Sequence, residues 1–417
     1  MKKVLSIIMA TTLLLCLCAC NNNPSDDYSS VEVEIIYEDG TGSMYVDENG
    51  EVTSNIPGTT SSQNTGTTSK PGVSSPDNTS KENKYYLNDA NTLKNIKFNG
   101  RCVETTAGVS LNHAASAIEF NTNSSSVMLE LDATAGTYYT VMIDGQITEQ
   151  HLAVENSGKN YIIVARRLSS GTHNIKFIRD GESRANVTFT AVSIQLDDGA
   201  TLLAKDGNKK VIEFLGDSLT SGFGNLAVNG VLNASELKYM SSTKAYPFLL
   251  ANKLGYDYRI VSMSSIALGK REGYPTFPEF YNLESYHIDK TAKYTSSNPQ
   301  NVDVVVINLG TNDIGAGLYD AKNPQNIVAY EQHFTDLVTN IGYRKDAKIV
   351  FVTGIWQKEP ISAINGAIKK LNSMGYNNAY VVTLNEYKSG GGSHPSAKEH
   401  EEIAGVLMNF FKKNGIA

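Results

Sequence analysis

Cysteine is nearly missing from the body of this 417-residue chain: Cys16, Cys18 and Cys20 crowd the N-terminus, and only Cys102 lies beyond them. No intramolecular disulfide can brace the folded part, so a hydrophobic core has to hold it. Cys102 itself is expected to be a small buried side chain. Tryptophan occurs once, as Trp356. Long apolar runs are missing too. The longest, Val4 to Leu17, falls short of the ~20 residues that a membrane-spanning helix needs. Positive charge is in deficit, with 36 Lys and Arg against 43 Asp and Glu and a net charge of −7. Removal of a leader carrying Lys2 and Lys3 would take it to about −9. That balance argues against holding nucleic acid or an anionic polymer through bulk electrostatics and leaves neutral substrates open. No metal-site spacing and no phosphate-binding glycine loop with its lysine occurs. The expected chemistry therefore uses no metal and no cofactor, only water.

What is present begins with a leader. Lys2-Lys3, the apolar core and Leu17-Cys18-Ala19-Cys20 have the order of a secretory signal. The ending resembles a bacterial lipobox, which implies cleavage before Cys20, lipidation of its sulfur and an extracytoplasmic protein anchored to the cell membrane. An ordinary secreted leader is the alternative. Residues 21–84 read as a Ser/Thr-rich tether that cannot bury enough surface to offset chain entropy. Within it, Val31 to Tyr37 and Met44 to Val46 could form a small hairpin around Asp39-Gly40.

The remaining length allows two domains. From 85 to 205 the period is two. Val127, Leu129 and Leu131 alternate with Met128, Glu130 and Asp132, and Tyr139, Val141 and Ile143 alternate with Tyr138, Thr140 and Met142. Asp144-Gly145 and Asp180-Gly181 supply turns, so a β-sandwich is expected. From 206 to 417 strands and helices alternate. Val211–Leu215, Tyr258–Ser262, Val304–Leu309, Lys348–Thr353 and Ala379–Leu384 read as buried parallel strands. Ala245–Leu254 and Pro324–Ile341 read as helices, and Ser396 with Glu399 forms a capping box before a last one. This is an α/β fold, a three-layer α/β/α domain with its site at the C-terminal strand ends.

Three short segments carry chemistry. Gly216-Asp217-Ser218-Leu219 follows the first strand, Gly310-Thr311-Asn312-Asp313 follows the third, and Ser393-His394-Pro395 precedes the last helix. Ser218 is the expected nucleophile, whose hydroxyl needs a base within hydrogen-bond reach. His394 is the expected base, since imidazole titrates near neutrality. The neutral amide of Asn312 can donate to an oxyanion without disturbing that base. Asp313 is expected to stabilise its loop. His113, His151 and His173 fall in the sandwich. His400 falls on the buried face of the last helix, and His333 sits beside an apolar stripe. His287, in a Tyr-rich excursion, could reach substrate. Trp356 could stack on a sugar at the pocket rim or pack in the core.

These segments resemble the SGNH, or GDSL-type, hydrolases, and the resemblance runs from about Lys210 to the C-terminus. It implies an oxyanion hole of the Ser218 N–H, the Asn312 amide and a backbone N–H in Val261–Gly269, where the family carries Ser-Gly. Alignment puts Ser265 in the glycine's place, with Ser264 and Ala267 as alternatives. The family's Asp two or three residues before the His is replaced by Gly391 and Gly392. Either a Ser–His dyad with a backbone carbonyl or a distant carboxylate would serve. Ala115–Phe120, Ile143-Asp144-Gly145 and Gly171-Thr172-His173 resemble the small jelly-roll domain of carbohydrate esterase family 2. That implies a serine esterase removing acyl groups, acetyl above all, from carbohydrate, some members of the family being dyads. A lipase- or thioesterase-like acylhydrolase and a catalytically weak carbohydrate-binding protein are the alternatives.

Overall fold

The computed structural model describes residues 83–417 except 296–297 and 357–359, and, as backbone alone, the strands Leu5–Ile7, Ser30–Tyr37, Gly40–Asp47 and Val52–Asn55. Ser30–Tyr37 pairs antiparallel with Gly40–Asp47, with Val31 opposite Val46, where the hairpin was expected. These strands belong to a unit, Met1–Thr79, separate from Ser80–Ala417. Cys20 and residues 56–82 of the expected tether lie outside the described residues.

Between residues 84 and 203 two six-stranded antiparallel sheets stack face to face. One runs Gly158–Ala165, Val127–Ala133, Phe189–Leu196, Gly108–Leu111, Cys102–Thr105, with Lys84–Tyr86 paired to Phe189–Leu196. The other runs Gln146–Ala153, Tyr138–Ile143, His173–Asp180, Ala117–Thr122, Leu202–Leu203, with Lys97–Asn99 on Ala117–Thr122. The period-two residues Val127, Leu129 and Leu131 meet Val141, Ile175 and Phe177 in the core, and Cys102 is buried with them. Burial pushes the Cys102 thiol up to about 12, so it is an inert apolar side chain.

Alternation fails where the sandwich meets the second domain. Thr140 and Met142, which alternate with Tyr139, Val141 and Ile143, are buried as well. Met142 joins Ala114, Ala115 and Ile178 in the core of the α/β domain. Thr140 donates to Asp180, 3.1 Å away. Asp180 was read as a turn residue, yet it is a buried acceptor for Ser241, Thr243 and the Thr243 N–H. Burial alone would raise its carboxyl, but His151 and these donors outweigh it and hold it below the usual carboxylate value. Arg101 and His113 reach across in the same way, to the carbonyls of Leu283 at 3.2 Å and Glu284 at 2.9 Å.

The α/β domain is built on five parallel strands: β1 Val211–Gly216, β2 Asp257–Ser262, β3 Val304–Asn308, β4 Lys348–Thr353 and β5 Ala379–Thr383, in the order β2-β1-β3-β4-β5. Alternate residues face opposite helix layers. Ile212, Phe214, Val306 and Val350 pack with the helices Tyr246–Leu254 and Ala397–Lys413. Leu215, Val305, Ile307 and Phe351 pack with Pro324–Ile341 and Ile361–Ser373. The chain leaves β1 to add β2 on one side and crosses to β3 on the other. The C-terminal end of β1 is thus a topological switch point, where open α/β sheets place their ligands.

Candidate active site

β1 ends at Gly216, and Asp217 accepts the Leu219 N–H at 2.9 Å to cap the four-residue helix Ser218–Ser221. A Cβ at Gly216 would lie 1.9 Å from Thr220 Oγ1, so this turn admits only glycine. The turn lifts Ser218 toward the last helix. There His394 Nε2 lies 2.8 Å from Ser218 Oγ, and His394 Nδ1 lies 2.9 Å from the Gly392 carbonyl oxygen. With Nδ1 donating to that carbonyl, Nε2 is left to accept from the serine hydroxyl.

Backbone holds the base loop. Gly391 N–H donates to Gly224 O at 2.9 Å, Gly390 N–H to His394 O at 2.8 Å, and Ala397 N–H to Asn225 O at 2.8 Å. A Cβ at Gly391 would meet those of Ala234 and Ala227 at 2.6 and 2.7 Å, so the loop sits against its neighbours as only glycine allows. Two rings flank the imidazole, Phe223 at 4.6 Å and Trp356 at 5.1 Å between centroids. Burial holds His394 below the usual histidine value, while the Gly392 carbonyl and the charge of Glu182 pull the other way.

The segment after β2 is held differently. Ser265 adopts φ +66°, the left-handed region where the family carries glycine. Its carbonyl accepts from Arg271 Nη1 at 2.6 Å. Asn312 Nδ2 donates to Ile266 O at 2.9 Å and to Asp217 Oδ2 at 3.2 Å. Asp313 accepts from the Leu268 and Gly269 N–H groups at 3.1 and 2.7 Å and from Tyr330 OH at 2.7 Å. At the start of the loop, Ser264 gives both its N–H and its hydroxyl to Glu182, the latter at 2.8 Å. Glu182 belongs to the sandwich side of the chain. It is 1 % exposed, and Arg184 pairs with it at 3.2 Å. Ser264 is thereby committed to Glu182 through both its N–H and its hydroxyl. Burial also pushes the Asp217 carboxyl up to about 7, against the pull of the Leu219 N–H, with Asp313 adding repulsion.

Ser218, His394, Ser265 and Asn312 thus share one end of the sheet, and Trp356 stands beside His394, half-buried against the core at its edge. His287 lies against Tyr286, at 5.4 Å between centroids; burial holds it below the usual histidine value while the charge of Glu182 pulls it up, and among the described residues no hydrogen bond or ring contact links it to Ser218 or His394. His400 is buried and accepts the Tyr246 N–H at 3.2 Å; burial pushes it down to about 3, a packed neutral histidine. Phe277, Phe280 and Tyr281 of the aromatic excursion are buried, while Tyr274 is exposed. Glu182 was missed. Its only signal was an acidic residue just past the Asp180-Gly181 turn. Among the described residues no group of three or more His, Cys, Asp or Glu could hold a metal ion.

An attacking oxygen, a base with its second nitrogen fixed, and donors around one point are what acyl transfer requires. Residues 98–205 match the family model described as carbohydrate esterase 2 N-terminal, and residues 214–398 match the GDSL-like lipase/acylhydrolase family. An acetylxylan esterase / glucomannan deacetylase of Cellvibrio japonicus is 25 % identical over 268 residues, 60 % of this chain and 72 % of the relative. The structure of an acetyl xylan esterase from Butyrivibrio proteoclasticus superposes with a TM-score of 0.70 at 16 % identity, covering 80 % of this chain and 98 % of that one. A family two carbohydrate esterase from Clostridium thermocellum, solved with cellohexaose, gives 0.62 at 22 % identity, covering 77 % and 100 %. At these identities the two structures establish the fold.

Proposed function

This chain belongs to carbohydrate esterase family 2, an SGNH-type esterase domain behind the family's N-terminal sandwich, and on that footing we propose that it removes acetyl groups from a carbohydrate with a Ser218–His394 dyad. The observation that carries the reading is Ser218 Oγ at 2.8 Å from His394 Nε2, with His394 Nδ1 on the Gly392 carbonyl and, among the described residues, no carboxylate bonded to the imidazole. Ser218 Oγ attacks the ester carbonyl while its proton passes to Nε2. The imidazolium is stabilised by its Nδ1–H bond to Gly392 O. The tetrahedral oxyanion takes the N–H groups of Ser218 and Ser265 and one N–H of Asn312, the one now on Asp217 at the longer distance of 3.2 Å. Nε2–H then protonates the departing sugar oxygen. Water attacks the acyl-serine, gives a proton to Nε2 and releases acetate, and Ser218 regains its hydrogen.

Acetyl is favoured over longer acyl chains because the loop from Asn225 to Lys244 gives no continuous apolar wall. Val228 and Leu232 are 72 % and 99 % exposed. One methylene in a fitting pocket changes discrimination by about 1–3 kcal/mol. Turnover should fall steeply from acetyl to butyryl to octanoyl aryl esters, and acetylated polysaccharides should release acetate. A profile rising toward octanoyl would favour a lipase instead. The absence of any aryl acetate hydrolysis would favour a sugar-binding protein, the reading that the two committed Asn312 donors support. For location, the leader and its Cys20 support a lipid-anchored extracytoplasmic enzyme whose residues 21–84 let it reach surface glycan. Cys20→Ser should abolish membrane retention, and a variant that still fractionates with membranes would end the anchor reading.

A further inference from the structure

A cleft of about 910 Å³ opens between the far side of the oxyanion loop, the short helix Phe277–Tyr281 and the hairpin of Leu283–Ser285 with Asp289–Lys293. Its charge runs against that of the chain. Lys270, Arg271, Lys290 and Lys293 line it, opposed by Glu272 and Glu279. Glu279 is already spent, pairing with Lys270 at 3.0 Å and accepting the Thr276 N–H at 2.7 Å. Among the described residues no carboxylate lies within ion-pair reach of Arg271, Lys290 or Lys293. The aromatic surface is taken as well. Arg271 lies 4.7 Å over the Tyr274 ring and Lys290 4.9 Å over the Tyr286 ring. These tyrosine faces are thus covered by cations, and the wall offers ammonium and guanidinium donors where an open sugar-stacking platform would offer bare rings.

Position makes this cleft relevant to the ester site. Arg271 uses one donor on the Ser265 carbonyl, at 2.6 Å. A guanidinium has five N–H donors, so the rest can meet an anion. Arg271 thus belongs both to the cleft wall and to the bracing of the loop that carries Ser265, which puts the cleft next to that loop. We propose that this cleft binds an anionic group of the same glycan that carries the scissile acetyl, a sugar carboxylate or a backbone phosphate. The inference rests on the esterase reading and adds the substrate class to it. The overall acidity of the chain does not oppose it, because charges beyond about 8 Å are screened at physiological salt and the cleft acts at contact.

The full chain carrying K290E and K293E together tests this, since both residues are exposed on the hairpin and outside the ester chemistry. Substrates are acetylated polygalacturonate, an acetylated phosphate-bearing glycan, acetylated glucomannan and an aryl acetate. On at least one acidic polymer, kcat/KM should fall about tenfold through KM and lose most of its salt dependence. The neutral polymer and the aryl acetate should stay within about twofold. Which acidic polymer responds identifies carboxylate or phosphate. An equal loss on neutral and acidic polymers, or no loss on either acidic one, overturns the proposal. A second measurement separates it from the esterase reading. Calorimetric binding of unacetylated polygalacturonate and of the unacetylated phosphate-bearing glycan to Ser218→Ala protein, with and without the two charge reversals, needs no turnover. Weaker binding of one of them by the reversed protein supports the cleft; unchanged binding of both overturns it.

Discussion

The two loops that meet over Ser218 are held by different balances of backbone and side chain. The base loop, Gly390 to His394, is fixed by backbone: main-chain hydrogen bonds from Gly391 to Gly224 and from Gly390 to His394, a glycine pressed on two alanines, and a carbonyl behind the imidazole. The oxyanion loop, Ser264 to Gly269, is fixed mostly by side chains, Glu182, Arg271, Asn312 and Asp313, with one main-chain bond from Phe277 N–H to Ala267 O at 2.8 Å. Backbone bracing needs neighbours close in sequence or small residues at contact. Side-chain bracing can come from anywhere, and here one brace comes from the sandwich. The difference predicts which substitutions each loop tolerates.

The largest effect should come from the groups the loops serve. Ser218→Ala and His394→Ala should each lower aryl acetate turnover by at least about 10³-fold with an unchanged melting temperature. Near-wild-type turnover in either would remove the dyad. Asn312→Ala should cost about 10²–10³-fold in kcat, the usual loss for one oxyanion donor. Glu182 sharpens the comparison. Glu182→Ala frees the Ser264 N–H and hydroxyl and should lower kcat about tenfold or more with little change in KM, because it acts by positioning. Glu182→Gln keeps one acceptor and should recover part of that. Equal loss in kcat and stability for both variants would make Glu182 merely structural.

This contrast also explains what could be read from the sequence. Ser218, Asn312 and His394 lie in short segments whose turn geometry is local, so type and order suffice to find them. The sheet was legible because each strand is a buried apolar run; β1 to β5 fall within two residues of their expected ends. Glu182 was not legible, because it acts on a residue 82 positions away through a fold-level contact. The burial of Thr140 and Met142 and the acceptor role of Asp180 were not legible for the same reason, since a period-two pattern shows one buried face and cannot reveal a second domain on the other. Gly391 and Gly392 read as a lost carboxylate. The structure shows them as the close contact and the acceptor that the base loop uses.

A pH series separates the loops next. His394 must be neutral to accept the serine proton, and its value is held low, so the acid limb of kcat/KM should lie below the ordinary histidine midpoint of about 6.5. Glu182→Gln removes a charge that raises it and should move the limb lower still. Backbone variants of the oxyanion loop should leave the limb in place. Stability follows the same sign. A histidine whose folded value is depressed keeps its contribution above about 6.5 and loses it as pH falls toward the folded value. His113 and His400, held down to about 3, add to that loss. Asp217, pushed up to about 7, acts with the opposite sign and gains stability as pH falls from there, but the three depressed rings outnumber it, so the melting temperature should still fall below about pH 6.5, and a rise toward pH 4 would contradict the burial of these rings.

The smallest effect concerns the one strained residue of the oxyanion loop. Ser265 sits at φ +66°, where an L-residue costs about 1–2 kcal/mol. Glycine removes that strain but adds unfolded-chain entropy worth about 0.5–1 kcal/mol. The net gain for Ser265→Gly is then about 0.5 kcal/mol, a melting shift of about 1–2 °C for a domain of this size. Activity should stay within about twofold, since the backbone N–H is retained, and the Arg271 bond to the carbonyl and the Glu182 hold on Ser264 do not involve the Ser265 side chain. Ser265→Ala keeps the strain and loses the hydroxyl, so it isolates the side chain. If Ala costs activity while Gly also costs it, the hydroxyl takes part in binding or catalysis. If Gly alone costs activity, the strain itself holds the N–H in place, and the loop depends on its backbone as the base loop does.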